Sequence, residues 1–561
     1  MRVALIKSQG LILTLATITI FSGCTSRHHP KTGEKTHPPK LVVGIVVDQM
    51  RYDFLYRYWD KYGNGGFKRL LRDGYLCANT NLNYVPTYTG PGHAAIYTGT
   101  TPTVNGIVGN NWYDRNNAKS IYCVEDKSVN PVGSANKKEG QMSPRNLLTS
   151  TITDELRLAS NMRSKVIGLS LKDRGSILPA GHSANAAYWY DGQSGNFISS
   201  TYYIDSLPAW VNAFNNERQP TKLLNQVWNP ILPLDKYTES TNDNTDYEEP
   251  FKGQTLPVFP YSLWQMSGNS FDLLRETPFG NTYTRNFAEA AIKGEKMGQG
   301  DLTDFLTVSF SSTDYVGHRF GPNSVEIEDT YIRFDKELEQ FLDFLDSYVG
   351  KDNVLVFLTA DHGVVNVPAF LKSKGLNQPA GLFKQAYITD TLAGFLNKTY
   401  NDTNLVLDYE NQQIYLNYAE IKAKNISMED ICQKISAEVK HYPGVANVVA
   451  GNELEENEYT NGQLHLLQNG FMPSRSGDVA IVLQPSWIEG KAKGTTHGSG
   501  YSYDTHIPLI FYGWKIRPGV SYDPVSVTDI APTLAAMLQI QAPNGCTGKP
   551  ISPLVRYNLG H

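Results

Sequence analysis

The chain has 561 residues, with 55 acidic and 50 basic side chains, a formal net charge of −5 and 40% hydrophobic residues. This is the composition of a folded globular protein longer than one typical core requires, so a large domain with sizeable insertions is expected. No basic run suits nucleic acid, and only the amino terminus carries a long apolar segment, which argues against a membrane domain.

In chain order, Arg2 and Lys7 precede the apolar run from Leu11 to Phe21, which Ser22, Gly23 and Cys24 follow. The run falls short of the roughly 20 residues that cross a bilayer, so residues 1–23 read as an export signal. Phe-Ser-Gly-Cys resembles a bacterial lipoprotein signal, whose cleavage leaves the cysteine as a lipidated terminus. Cleavage to a soluble secreted protein is the alternative. Residues 24–40, polar and containing Pro30, Pro38 and Pro39, form a tether without a packed core, and His28, His29 and His37 in it are read as solvated. If Cys24 carries lipid, Cys77, Cys123, Cys432 and Cys546 remain, an even set that suits two disulfides in an oxidising compartment, with the connectivity open.

The core is expected in three parts, 41–179, 301–392 and 478–561, separated by insertions at 180–300 and 393–477. The unbroken valine-rich run from Leu41 to Val47, ending at Asp48, fits a strand buried on both faces of a parallel sheet. The same pattern recurs from Phe305 to Phe310, leading to Asp314 and His318, and from Val354 to Thr359, leading to Asp361 and His362. The fold class is therefore α/β: a doubly wound, mostly parallel sheet with helices on both faces. In such sheets ligands bind outside the carboxyl ends of the strands. Between the first two core strands, Tyr84 to His93 places Thr89 ahead of Gly90 and Pro91 and the apolar run from Ala94 to Tyr97. A helix starting there has free N–H groups at its N-terminus and suits an anion such as phosphate; an ordinary turn is the plainer reading.

Further strands are expected at 165–170, 478–483 and 507–512, and helices at 151–161, 325–348 and 529–538, the first with a Thr151/Asp154 capping box. The insertion at 180–300, crowded with aromatics, prolines and asparagines, reads as a partly irregular cover over the site. The insertion at 393–477 contains a hairpin at 405–416 and a helix at 427–441.

Asp and His together suit zinc, and a buried Asp-His pair at a strand end is costly unless paired or coordinated. Asp314 and His318 are four residues apart and face the same way on a helix; His497 lies in a glycine-rich loop from Gly494 to Gly500. Each feature alone has a plain explanation as a turn or a solvated histidine. The set is harder to dismiss.

The order Asp48, Thr89, Asp314 and His318, Asp361 and His362, His497 resembles the alkaline phosphatase superfamily. Residues 41–114 and 300–540 carry the resemblance; the insertions do not. Pro-Thr-Tyr-Thr-Gly-Pro-Gly-His is similar to the nucleophile segment of nucleotide pyrophosphatase/phosphodiesterases, and the segment from Gly106 to Asn110 to their phosphate-binding asparagine segment. Val-Val-Asp-Gln-Met-Arg-Tyr-Asp and Leu-Lys-Asp-Arg-Gly are most like the phosphate-irrepressible bacterial alkaline phosphatases.

The resemblance implies two zinc ions, one held by Asp48, Asp361, His362 and Thr89, the other by Asp314, His318 and His497. It also implies attack by Thr89 on a small phosphate monoester, giving a phosphothreonine that is then hydrolysed. Asn110, Lys172 and Arg174 would bind the non-bridging oxygens. A monoester has an extra charged oxygen that a diester lacks, so the cationic pair Lys172 and Arg174 favours monoesters.

Three alternatives stay open: a phosphodiesterase on the same site, a sulfatase, and a lipid-anchored binding protein without turnover. The sulfatase is disfavoured because its C/S-x-P-x-R motif reads Thr89-x-Pro91-x-His93 here. His93, His182 and His506 are assigned structural roles. The expectation is completed by a monomer with no nucleic-acid partner, exported in a Gram-negative bacterium as a periplasmic protein or a lipoprotein anchored only through Cys24.

Overall fold

The structure is a computed structural model that describes residues 37–556 except 269, 377 and 378. The export signal, Cys24 and most of the tether lie outside the described residues. From Pro38 onward the chain forms one compact unit.

Its strands include β1 (Leu41–Val47), β2 (Tyr75–Asn81), β3 (Val166–Ser170), β4 (Ala186–Asp191), β5 (Asn196–Ser200), β6 (Asp304–Phe310) and β7 (Val354–Thr359). They continue with β8 (Val406–Glu410), β9 (Gln413–Leu416), β10 (Val445–Ala450), β11 (Val479–Leu483) and β12 (Leu509–Gly513). Among the described residues the central sheet has eleven strands, with β2-β12-β7-β1-β6-β3-β4-β5 as its middle run. β7, β1, β6, β3 and β4 are parallel neighbours. β12 is antiparallel to both β7 and β2. Every residue of β1, β3, β6 and β7 is buried, as expected of strands covered on both faces.

The register decides where the chemistry falls. Val46 pairs with Ser309 on one side and Thr359 on the other, and Ser309 pairs with Ser170. Four adjacent strands therefore end level, and the residues just beyond them share one edge. Three helices serve that edge or its support: α1 (Thr89–Thr98), α2 (Ser312–Phe320) and α3 (Val325–Tyr348).

Three expectations are corrected. The segment from 180 is not wholly a cover, because β4 joins the parallel sheet beside β3 and β5 returns beside β4. Its tyrosines and tryptophan hide the aliphatic signal of a core strand, although all six residues of β4 are buried. The strand expected at 478–483 forms as β11, but it lies in a separate four-stranded sheet, β8-β9-β11-β10, so the segment from 478 begins in the smaller sheet. Its apolar run is the same whichever sheet receives it. The disulfides do not form: Cys77, Cys123, Cys432 and Cys546 are all free. Cys77, Cys123 and Cys432 sit in three different hydrophobic clusters, and burial pushes each of these thiols up to about 12.

Glu248, fully buried against the start of α3, gives a test of the packing. Burial, with Asp243 adding repulsion, pushes its carboxyl from the ordinary 4.5 to about 8. Between those values the unfolded chain releases a proton that the folded chain keeps, so stability falls as pH rises through the window, and the loss is complete above about 8. In thermal unfolding from pH 5 to 9, Glu248→Gln is expected to flatten the decline of the wild type. Parallel declines would contradict the assignment.

Candidate active site

Asp48 follows β1 directly, and its backbone N–H donates to the Phe310 carbonyl at the end of β6 (3.0 Å). Asp361 and His362 follow β7, and Asp314 and His318 lie on α2 just after β6, one helical turn apart. His497 comes from a loop late in the chain and joins Asp314 and His318. Two groups result, Asp48, Asp361 and His362, and Asp314, His318 and His497; within each, the candidate ligand atoms lie within 4.8 Å of one another.

The three histidines are oriented alike. Nδ1 of His362 bonds the Gly363 carbonyl (2.9 Å), that of His318 the Thr495 carbonyl (2.8 Å) and that of His497 the Thr87 carbonyl (2.7 Å). A carbonyl can only accept, so each Nδ1 carries the proton and each Nε2 turns a lone pair inward. Nε2 of His362 faces Asp48 at 3.5 Å and Asp361 at 3.6 Å; that of His318 lies 3.1 Å and that of His497 3.6 Å from Asp314 Oδ1. Asp48 Oδ1, Asp361 Oδ2 and His362 Nε2 are buried without a hydrogen-bond partner. Buried oxygens and an imidazole lone pair left in this way suit a borderline cation, so the residues present fit a metal.

The electrostatics agree. Burial and the Asp361 charge raise Asp48 well above the usual carboxylate range. Burial also acts to raise Asp361, but His362 and His93 hold it low; Asp314 is held well below its ordinary value, against burial, by His318 and Lys172. Burial, with His362 and His318, pushes His497 well below 6.5, which keeps it neutral.

Thr89 is the first residue of α1 and 1% exposed. Pro91 takes the third helical position rather than the first, still within the turn whose N–H groups have no helical acceptor. The Gly90 N–H donates to Asn110 Oδ1 (2.8 Å), which sets Asn110 beside Thr89. A Cβ on Gly92 would stand 2.5 Å from the Asp361 carbonyl oxygen, so only glycine lets α1 approach the end of β7 this closely. Lys172 Nζ donates to Asp48 Oδ2 and Asp314 Oδ2, both at 2.6 Å, and lies 3.4 Å from Thr89 Oγ1. It is thus buried between the two groups and held strongly protonated by Asp314 and Asp48, against burial. Arg174 donates from Nη1 to the Tyr122 hydroxyl (2.9 Å), which donates to Asp173 (2.5 Å).

All ten residues singled out in the sequence therefore gather at one edge. Three others belong with them. Gln49, at φ 66°, donates its backbone N–H to Asp361 Oδ1 (3.2 Å) and its side-chain amide to Asp314 Oδ1 (2.7 Å), linking the two groups. His93 bonds the Thr89 carbonyl and Ser309 Oγ, both at 2.9 Å, and lies 3.3 Å from Asp361, so it supports the site from behind. Tyr122 holds Arg174. Gln49 had one sequence signal, its place next to Asp48. His182 and His506 bond backbone carbonyls, as structural histidines do.

A Cβ on Gly317 would lie 1.8 Å from Gln49 Oε1. Gly317→Ala should therefore push Gln49 off Asp314 and lower catalytic turnover by about tenfold, the worth of one hydrogen bond to a charged group. Turnover unchanged from wild type would count against a positioning role for Gln49.

The sheet and its ligand-bearing edge define a metal-dependent hydrolase of the alkaline phosphatase superfamily. Residues 42–506 match the model of the type I phosphodiesterase / nucleotide pyrophosphatase family, and the chain belongs to that family. Within it the chain is similar to bacterial alkaline phosphatases. It is 45% identical to alkaline phosphatase PhoV of Synechococcus elongatus, over 98% of this chain and all of that one. It is 46% identical to alkaline phosphatase PafA of Elizabethkingia meningoseptica, over 92% of this chain and 94% of PafA, and 47% identical to a Myroides odoratus protein named calcium-transporting ATPase, over 93% and 96%. The crystal structure of PafA superposes with a TM-score of 0.90 at 46% identity, covering 92% of this chain and 99% of PafA. A solved PafA variant with a threonine, an asparagine, a lysine and an arginine replaced gives 0.89 at 45%, covering 92% and 99%. The likeness runs through both insertions, beyond the parts of the chain where sequence motifs alone had placed it.

Proposed function

We propose that this protein is an alkaline phosphatase that hydrolyses small phosphate monoesters through a phosphothreonine on Thr89. The observation that carries the reading is the Thr89 hydroxyl at a helix N-terminus, beside the two carboxylate-imidazole groups and 3.4 Å from the Lys172 ammonium. Asp48, Asp361, His362 and Thr89 would hold one zinc ion, and Asp314, His318 and His497 a second. When bound, such ions lower the pKa of coordinated hydroxyls and neutralise developing charge on oxygen.

The chain's own groups do the rest. Thr89 Oγ1 forms a bond to phosphorus as the ester oxygen leaves with the alcohol; water then attacks the phosphothreonine, releasing phosphate and restoring the hydroxyl. Asn110 and the N–H groups at the start of α1 orient the phosphoryl oxygens. Lys172 supplies fixed positive charge from between the ligand groups. Arg174, one edge held by Tyr122, presents its guanidinium to the oxygen that a diester would esterify. Thr89, Asn110, Lys172 and Arg174 are, in residue type and chain order, the four replaced in the solved PafA variant.

The test is a comparison of p-nitrophenyl phosphate and bis-p-nitrophenyl phosphate. The zinc-loaded wild type is expected to prefer the monoester strongly. Lys172→Ala with Arg174→Ala should cut monoester kcat/KM by about a hundredfold or more, as two charged contacts would, with a much smaller effect on the diester. A better wild-type diester rate would make the protein a phosphodiesterase.

The name of the Myroides odoratus relative makes ATP a further substrate to assay, since its terminal phosphoryl carries the same charge pattern. Among the described residues no helix is long and apolar enough to cross a membrane. Export through residues 1–23, a lipid on Cys24, a periplasmic location and a monomeric state complete the proposal.

A further inference from the structure

Beside the cationic pair the chain leaves a cavity of about 710 Å³. Small-molecule sites span about 300–1,000 Å³, so the space admits far more than a phosphoryl group. Lys172 and Arg174 stand at one side of it, and Tyr122, Trp189, Tyr190 and Tyr315 give it aromatic walls. Its lining includes six cationic side chains against three acidic ones. The acids are largely answered: Glu125 pairs with Lys127 (3.0 Å), Asp173 accepts from Tyr122, and burial pushes Glu139 above its usual carboxylate range. With Lys127 paired to Glu125 and Lys172 to Asp48 and Asp314, the remaining positive charge in the lining lies on Arg174, Arg275, Lys137 and Lys138.

Arg275 is an arginine of the lining that the monoester reaction does not use. It donates from Nη2 to the Tyr190 carbonyl (2.7 Å) and lies over the Tyr190 ring, which holds it against the wall. Among the described residues the acid in ion-pair contact with it is Asp272, loosely, Nη1 at 3.6 Å, and its Nε is buried with no acceptor. An arginine placed purely for packing would be expected to have its buried donors satisfied. Tyr315, next to Asp314, lines the same cavity as Lys172, Arg174 and Arg275, and its ring lies 5.1 Å from the Lys172 ammonium. Like charges gathered around one cavity repel unless an anion joins them.

We propose that this cavity is a second anion subsite, in which Arg275 and the Tyr315 hydroxyl bind a further phosphoryl or carboxylate group carried by the alcohol part of the substrate. The favoured substrates are then phosphate monoesters with a second anionic group, such as nucleoside bisphosphates, whose base can rest on the aromatic walls. The inference rests on the phosphomonoesterase reading.

The experiment compares kcat/KM for adenosine 3′,5′-bisphosphate and adenosine 5′-monophosphate, which share a nucleoside and differ by one phosphate. The zinc-loaded protein is used as wild type, Arg275→Ala, Arg275→Lys and Tyr315→Phe. The bisphosphate is expected to be favoured by the wild type. The ratio of the two constants should fall about tenfold in Arg275→Ala, the size of one charge-assisted hydrogen bond, and be largely kept in Arg275→Lys. Added salt should also lower the wild-type ratio, because the contact is between charges. A ratio that is the same in wild type and Arg275→Ala overturns the subsite while leaving the phosphatase reading intact. A wild type inactive on both nucleotides and on p-nitrophenyl phosphate overturns that reading, and the subsite with it.

Discussion

Thr89→Ala is expected to lower kcat/KM for p-nitrophenyl phosphate by at least about a thousandfold, because it removes the atom proposed to form the bond to phosphorus. Thr89→Ser keeps that atom and should retain activity within about tenfold of wild type, since only a methyl group is lost. The side chain is buried, and its hydroxyl accepts a long hydrogen bond from Lys172 at 3.4 Å, so the alanine variant should fold and unfold much as wild type does. Acid quenching during turnover should trap a phosphate adduct on the peptide that contains Thr89, in wild type and the serine variant alone. Near-normal turnover by Thr89→Ala would mean that water attacks the ester directly, and that the position of Thr89 at the start of α1 serves binding only.

Removal of metal is expected to come second in size. Dialysis against a strong chelator should abolish measurable phosphatase activity and lower the thermal midpoint by about 5–10 °C, and added zinc should restore both. The stability effect follows from the buried Asp48, Asp361 and His362 atoms that have no hydrogen-bond partner, together with the repulsion between Asp48 and Asp361. Affinity should fall as the pH is lowered. Burial acts to lower His318, but Asp314 outweighs it and raises the imidazole above the ordinary 6.5, so in acid a proton occupies the nitrogen that a metal would need. Zinc titrations followed by thermal midpoint at pH 8 and pH 5.5 check the sign. Equal affinity at both would show that His318 is not a ligand.

The residues that were legible in the sequence are those whose chemistry is costly unless it is used. Asp48, Asp361 and His362 close apolar runs, where a buried charge demands a partner, and β7 and α3 appear with the expected bounds. Gln49 was not legible as part of the site, because its role depends on a positive φ that aims both its backbone and its side chain at aspartates; the letter Q says nothing of this. Tyr122 was not legible either, because its role depends on Arg174 and Asp173, which only the fold brings to its hydroxyl. The sheet that β11 joins was also hidden, since an apolar run states that a strand is buried but not against which neighbour. The cysteines misled for a similar reason: an even count in an exported chain is a compartment argument, and it carries no distances.

The central sheet also has consequences for how the molecule comes into being. β12, the antiparallel strand between β2 and β7, and His497 both come from the last part of the chain, whereas Asp48 and β2 come from the first. As the polypeptide emerges from the ribosome, the slot between β2 and β7 has no occupant until residue 513 has been made, and the Asp314 group lacks its third member until residue 497. Contacts of such long sequence separation form slowly. A nascent or prematurely terminated chain therefore lacks both β12 and His497, and phosphatase activity is expected to appear only once synthesis and folding have run to completion.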